Sequence, residues 1–434
     1  MSFVDTILKK RNGEKLGSSE IGRLVENYVS GDIPDYQMSA FLMAVYFNSL
    51  DREETAQLTR SMANSGRQLD LSSISGFKVD KHSSGGVGDS VSLVLVPLVG
   101  AVGLKIAKLS GRALGHTGGT IDKLESIPGF RVDLSNDEFL SGVRNEGMAL
   151  MEHTKELVPA DQKLYELRDL TGTVESLPLI ISSIMSKKIA CGPDGVVLDI
   201  KTGSGAFIKD LDRAEELAQG CVDIGNEVGL DVSALITDMN QPLGRAVGNS
   251  LEVREALKVL KDETSGDLRE VTLNLVAELL VQSGKVDSVE AGVELAEGKL
   301  SSGKALEKFQ ALVENQDGDP RVAENPDLLP ESENVKKVKL EEKGYVSELD
   351  ALKIGRAANL LGAGREEKGE EIDHSVGVRI ERKIGEELSG SGAVATIYYN
   401  DDKNLKEAKD LVEEAFSVSS SAPSKPQLIK KRIR

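Results

Sequence analysis

The sequence predicts an α/β protein with a helical opening and a separate α+β tail. Three observations carry that prediction. The first 66 residues show helical spacing and no strand-like alternation, short apolar strands then alternate with helical stretches, and beyond a proline-rich stretch short strands mix with helices. The chain has 434 residues, which allows two or three domains at about 150 residues each.

In the opening segment Ile21, Leu24, Val25 and Tyr28 recur at helical spacing, and Gly31-Asp32-Ile33-Pro34 stops that helix. Asp51 and Glu54 have the spacing of a capping box ahead of Ala56, Leu58 and Met62. Phe77-Lys78-Val79-Asp80 reads as a short strand entering a Gly-rich turn, and the apolar run from Val91 to Leu104 as a buried helix. Val196 to Ile200 is a second strand, followed by the turn Thr202-Gly203-Ser204-Gly205. Asp212 and Glu215 are expected to cap a helix reaching about Val228, and Ala234 to Asp238 is a third strand. Three of the 12 prolines fall between Pro320 and Pro330 among Asp and Asn, which reads as a linker. Beyond it lie strands at Gly344 to Leu349, Val376 to Ile380 and Ala393 to Tyr399, and helices at Ala351 to Leu361 and Leu405 to Phe416.

Composition removes several function classes. With 53 basic and 71 acidic residues the net charge is −18, a poor match for nucleic acid or an anionic membrane. Aromatic residues are 4% and Trp is absent, which argues against a base-stacking RNA surface. Cys191 and Cys221 form no CxxC and no disulfide ladder, as in a reducing compartment. Met1 to Lys10 has no apolar signal region, and Val91 to Leu104 falls short of the about 20 residues a bilayer requires. The expectation is a cytoplasmic protein.

The densest chemistry lies between Lys81 and Ser92. Lys81-His82-Ser83-Ser84-Gly85-Gly86-Val87-Gly88-Asp89-Ser90-Val91-Ser92 joins a strand to a helix with three glycines, a lysine and several hydroxyls. Such a loop can cradle an anion on backbone N–H groups, and it can equally be a plain Gly-rich connection. It is neither GxxxxGK[ST] nor GxGxxG. A second Gly-rich block runs from Ser110 to Glu125. Residues 78–125 hold six Lys/Arg against four Asp/Glu, a local surplus of positive charge. Asp122, Lys123 and Glu125 also read as a solvated helix start, Lys123 above all. Of the four histidines, His82 stands out beside Lys81, and no HExxH or GxSxG is present. Leu177 to Ile189 reads as a buried helix with Ser183 and Lys187 on one face, and Arg168 precedes it. These three could meet an electron-rich ligand, or Lys187 and Lys188 could be an exposed helix end.

Lys81 to Ser92 and Ser110 to Glu125 together closely resemble the pyrimidine-nucleoside phosphorylases, a family that includes the thymidine phosphorylases. The resemblance extends through Pro159-Ala160-Asp161, Arg168-Asp169, Ser183 to Lys188, Lys201 to Phe207 and Asp238-Met239-Asn240-Gln241. It implies a small all-α domain plus a large α/β domain with a mixed, largely parallel sheet, and an α+β C-terminal subdomain. On that plan 1–66 and 160–190 form the all-α domain, which bears the pyrimidine side and the dimer interface. Residues 75–155 and 191–330 form the phosphate-binding α/β domain, and 335–434 the C-terminal subdomain.

The implied reaction is reversible phosphorolysis of uridine, thymidine and deoxyuridine to free base and α-D-(deoxy)ribose 1-phosphate, in a cytoplasmic homodimer. A strict thymidine phosphorylase is the alternative. Lys81, Ser83, Ser92, Ser110 and Thr120 resemble the phosphate ligands, with His82 and Lys108 on the same side. Arg168, Ser183 and Lys187 resemble the pyrimidine ligands, and with His82 they make the implied catalytic set. Gly88, Ser90, Leu243, Ala246 and Glu255 match positions that hold potassium in some members; no organic cofactor is implied. Lys108 stands where strict deoxynucleoside enzymes carry Met, which implies that uridine is accepted. Ser84 and Ser90 replace the usual Thr, Gln162 a usual Lys, and Glu152-His153 a common Gly-Gln in a hinge strand. Two more distant readings are a phosphoribosyltransferase of the anthranilate type, for which no acidic magnesium cluster is visible, and a binding homologue without turnover.

Overall fold

The structure is a computed structural model. It describes all residues except Met1, Leu114, Thr117, Lys155, 366–369 and Ser391; Leu114 and Thr117 of the second Gly-rich block therefore lie outside the described residues.

The chain opens with four helices, α1 (Phe3–Arg11), α2 (Ser18–Ser30), α3 (Asp35–Asn48) and α4 (Arg52–Ala63). Ile21, Leu24, Val25 and Tyr28 are the buried stripe of α2, and Gly31 in the left-handed region ends it. Asp51 and Glu54 form the capping box of α4. Strands and helices then alternate: β1 (Lys78–Ser83), α5 (Val91–Ala101), β2 (Lys105–Ser110), α6 (Thr120–Glu125), α7 (Asn136–Glu146) and β3 (Met148–Glu152). Two helices, α8 (Pro159–Thr171) and α9 (Leu177–Cys191), return to the opening bundle. There Thr59 donates to Ser182 at 3.1 Å, and Lys163 donates to the Val29 carbonyl at 2.9 Å.

The α/β pattern resumes with β4 (Gly195–Thr202), α10 (Leu211–Val228), β5 (Asp231–Asp238) and β6 (Ala246–Val247), then α11 (Asn249–Leu260), α12 (Asp267–Gln282), α13 (Val289–Ser301) and α14 (Lys304–Asn315). The tail contains β7 (Asn334–Lys339), β8 (Lys343–Leu349), α15 (Ala351–Ala358), β9 (Gly377–Ile380), β10 (Glu387–Ser389), β11 (Ala393–Tyr399), α16 (Leu405–Glu414), β12 (Phe416–Ser419) and β13 (Ile429–Ile433). The main sheet has the order β13-β5-β4-β1-β2-β3. Its strands are parallel except β13, which pairs antiparallel with β5. The tail folds into small antiparallel sheets, and one of them takes β6 from the α/β part.

Three expectations are corrected. The cap of α10 is Asp210, whose carboxylate accepts from the Arg213 N–H at 2.8 Å; Asp212 and Glu215 are already inside the helix. Pro320 to Pro330 is no linker: it makes two short 3₁₀ turns, buries Val322, Ala323 and Leu329, and is tied down by Asp319 N–H donating to the Pro128 carbonyl at 2.9 Å. The last strand of the stretch 335–434 expected to form the C-terminal subdomain, β13, instead closes one edge of the main sheet.

Candidate active site

The carboxyl ends of β1 and β2 form the floor of the site. β1 pairs with β4 as far as Ser83, but its ladder with β2 ends at Val79 and Ile106. Beyond that point the two strands no longer bond to each other, and the loops that follow them gather at this edge, where open parallel sheets bind ligands. Ser83 ends β1, Ser92 lies in the first turn of α5, Ser110 ends β2 and Thr120 begins α6.

Lys81 is the cation of this floor. It is buried, with Asp199 at 3.8 Å and Asp89 at 4.0 Å, both beyond hydrogen-bond reach. Burial pulls its ammonium below the usual lysine value, partly offset by those two carboxylates. Ser83 donates to Asp89 of the loop before α5 at 2.6 Å, and Ser84 accepts from the Lys201 N–H of β4 at 2.8 Å, so both hydroxyls are held in place. Burial alone would raise the Asp89 carboxyl; Lys201, Lys81 and Lys123 outweigh it and keep it ionised.

Lys108 reaches Asp80 at 3.6 Å and donates to the Leu109 carbonyl at 2.6 Å. Burial brings its ammonium down to about 8. Lys188 bonds the other oxygen of Asp80 at 2.7 Å. His82 is half-buried on the α9 side of β1. Removal from water, with Lys188, Lys108 and Lys187 around it, holds its imidazole well below 6.5, so it is neutral at pH 7. It can therefore offer a hydrogen bond rather than a proton.

The facing wall comes from α8 and α9. Ser183 and Lys187 share one face, and Lys187 Nζ donates to Ser183 Oγ at 3.1 Å while pairing with Asp161 at 2.6 Å. Arg168 is buried and donates to the carbonyls of Thr173, Leu179 and Val174 at 3.4, 3.1 and 2.6 Å. Those carbonyls fix the guanidinium without neutralising it, and two of its five N–H groups have no partner among the described residues.

Two bland readings fail here. Lys188 is no exposed helix end: its side chain is 1% exposed and paired with Asp80. Lys123 is no solvated helix start: it is 1% exposed and pairs with Glu252 at 2.7 Å. Asp122 is equally buried, between Arg112 and Arg365. Sequence reading missed Asp80, Asp161 and the Asp199–Lys201 pair. Two charged residues inside the apolar strand Val196-Val197-Leu198-Asp199-Ile200-Lys201 were the available signal, because a buried strand carries such residues only when they are paired.

The positions matched to potassium also lie together. A Cβ on Gly88, whose φ is +64°, would come within 3.0 Å of the Ala246 carbonyl, and one on Gly244 would overlap the Glu255 carboxylate. Leu243 O accepts from Lys383 at 2.9 Å, Glu255 accepts from the N–H groups of Arg245 and Ala246, and Ser90 donates to Glu252 at 2.7 Å. The Leu243, Glu255 and Ser90 oxygens each keep a lone pair, whereas the Gly88 carbonyl already accepts from the Ser90 and Gly244 N–H groups at 3.1 and 3.2 Å; the set is all-oxygen with one carboxylate, the donor type of a monovalent hard cation.

Fold and site together define an enzyme of glycosyl transfer. Residues 4–66 match the helical bundle domain of the glycosyl transferase family, 75–306 its a/b domain, and 345–419 the pyrimidine nucleoside phosphorylase C-terminal domain. The chain is 48% identical over 433 residues to the pyrimidine-nucleoside phosphorylases of Staphylococcus haemolyticus and Geobacillus stearothermophilus, covering 100% of each chain. That of Bacillus subtilis is 48% identical over 429 residues, 99% of both chains. The chain belongs to the pyrimidine-nucleoside phosphorylase family. Anthranilate phosphoribosyltransferase from Thermus thermophilus shares the fold, with a TM-score of 0.60 at 18% identity over 72% of this chain and 99% of that one.

Proposed function

We propose that the enzyme catalyses the reversible phosphorolysis of uridine, thymidine and deoxyuridine by inorganic phosphate, giving free base and α-D-(deoxy)ribose 1-phosphate. The observation that carries this reading is the opposition of two kinds of cation. A buried lysine, Lys81, stands among hydroxyls on the sheet edge, and Arg168 and Lys187 stand on two helices opposite.

Phosphate is held by Lys81, Ser83, Ser92, Ser110 and Thr120, which aim it at C1′ of the nucleoside. Arg168, Ser183 and Lys187 bind the pyrimidine and meet the negative charge that grows on it as the glycosidic bond breaks. Neutral His82 donates a hydrogen bond to the base. Lys108 reaches the ribose, which supports acceptance of uridine beside thymidine. A potassium ion at Gly88, Ser90, Leu243, Ala246 and Glu255 would tie the loop after β1 to the start of α11. No organic cofactor is required.

We place the enzyme in the cytoplasm as a homodimer. Val4, Leu8, Tyr36, Tyr46, Phe47 and Leu170 are exposed on α1, α3 and α8, an apolar face suited to a second copy. Incubation with uridine, thymidine or cytidine, with and without phosphate, tests the reading. Uracil and thymine should appear only with phosphate, and a rate indifferent to phosphate would refute it.

A further inference from the structure

His153 plays no part in the account above, yet its surroundings match those of His82. It follows β3 directly, and its N–H donates to the Ser110 carbonyl at 3.0 Å, extending the β2–β3 ladder by one residue past Ser110 and Glu152. Strand alternation puts it on the face of Ala149 and Met151, which pack in one cluster with Leu179, Ala190 and Cys191 of α9. His82 lies on that same face, two residues after Asp80, the partner of Lys188. The charges that bear on His153 are Lys188, Lys187 and Lys108, and the same three bear on His82. His153 is half-buried, and among the described residues neither of its ring nitrogens has a hydrogen-bond partner.

Those neighbours locate it. Lys108 belongs to the sheet beside the phosphate loop, and Lys187 belongs to the helix that carries the base ligands. At the carboxyl end of β3, beside Ser110 of β2 and on the face packed against α9, His153 stands between the two half-sites, where the pentose lies on the proposed reaction. Removal from water and three nearby ammonium groups keep the imidazole neutral, which disqualifies it as a phosphate counter-charge. A neutral imidazole has one donor and one acceptor nitrogen, as a sugar hydroxyl is both donor and acceptor.

We propose that His153 is a substrate-binding residue that hydrogen-bonds a hydroxyl of the pentose, a contact built on the crest of β3. The inference rests on the phosphorolysis reading. Its test is a cycle between residue and hydroxyl: His153→Ala, His153→Gln and the unaltered enzyme, each with uridine and with its 2′-, 3′- and 5′-deoxy analogues at saturating phosphate. The Ala variant should lose about tenfold or more in kcat/KM on uridine, as expected for one lost hydrogen bond of about 1.4 kcal/mol, chiefly through the nucleoside KM. The loss should shrink to less than about twofold on the analogue lacking the contacted hydroxyl, and the Gln variant should recover most of the activity. The KM for phosphate and the urea midpoint should stay put. An equal loss on every substrate, no loss on uridine, or a matching rise in the phosphate KM would overturn the assignment. Failure of the unaltered enzyme to release base would instead refute the phosphorolysis reading, so the two failures are distinguishable.

Discussion

The two walls of the cleft hold their positive charge in opposite ways. On the sheet side Lys81, Lys123 and Lys201 are almost wholly buried near Asp199, Glu252 and again Asp199, and Lys188 reaches over from α9 to pair with the buried Asp80 of β1. On the helical side Arg168 leans on three backbone carbonyls, and Lys187 is part-exposed beside Asp161. Ion pairs in the interior fix geometry at a desolvation cost, so the sheet wall is built to stay rigid. Carbonyl dipoles orient a cation while leaving its net charge in place, so on the proposed reaction the helical wall answers the charge that grows on the leaving base. Damage to the first wall should therefore appear mainly as lost stability, and damage to the second as lost rate.

The strongest challenge to this division is Asp80→Ala. It leaves Lys188 buried without its partner and takes Lys108's nearest carboxylate away. Removal of one member of a buried pair costs about 3–5 kcal/mol, so the urea midpoint should fall far. A shift under about 1 kcal/mol would mean that water already solvates Lys188 and that the rigid-wall account fails.

Lys187→Ala probes the other wall. Turnover should fall by roughly 10²–10³, about 2.7–4 kcal/mol, as when one oxyanion donor is lost. The urea midpoint should move less than for Asp80→Ala, because Lys187 is 27% exposed and water can reach the pair, although Asp161 itself is only 5% exposed. Near wild-type turnover would take Lys187 out of the mechanism. A large loss of stability with modest loss of rate would reverse the comparison.

Lys108 gives a pH handle on the boundary between the walls. Burial brings its folded-state value to about 8, well under the unfolded value of 10.5. Between those two pH values the unfolded chain binds the extra proton, so this group's contribution to stability rises with pH across that window and is at its least favourable below about 8. Function runs the other way. If the ammonium serves the ribose, uridine kcat/KM relative to thymidine should drop about tenfold per unit above the titration point, and Lys108→Met should flatten the profile. An unaltered enzyme whose ratio is constant from pH 7 to 9 would remove Lys108 from the ribose.

The architecture was more legible in the sequence than the charge network. Local signals sufficed for the stripe of α2, the capping box of α4 and the strands β4 and β5, because each depends on neighbours a few residues away. The Gly-rich loops and the Ser183–Lys187 spacing stand out as candidate site segments for the same reason. The burial of Lys123 and Lys188 is not legible in the sequence because their partners, Glu252 and Asp80, lie more than a hundred residues away, where no periodicity reaches. β13 escaped notice on like grounds: Ile429-Lys430-Lys431-Arg432-Ile433 has little strand signal of its own and is ordered by the open edge of β5.

Glu152 offers the mildest test, at the rim of the rigid wall. Its carboxylate grips Arg112 through Nε at 2.9 Å and Nη2 at 3.0 Å, opposite Ser110 in the ladder. The same guanidinium bonds Glu125 at 2.6 and 2.8 Å and Asp122 at 3.3 Å, so Glu152 is one of three carboxylates on a single cation. Arg112 and Glu152 are each about one-third exposed, where water screens the pair. Glu152→Ala should therefore cost less than about 1 kcal/mol in urea unfolding and leave the phosphate KM within about twofold. A loss above about 2 kcal/mol would show that Glu125 and Asp122 cannot hold Arg112 alone, and that the rigid wall extends to the last residue of β3.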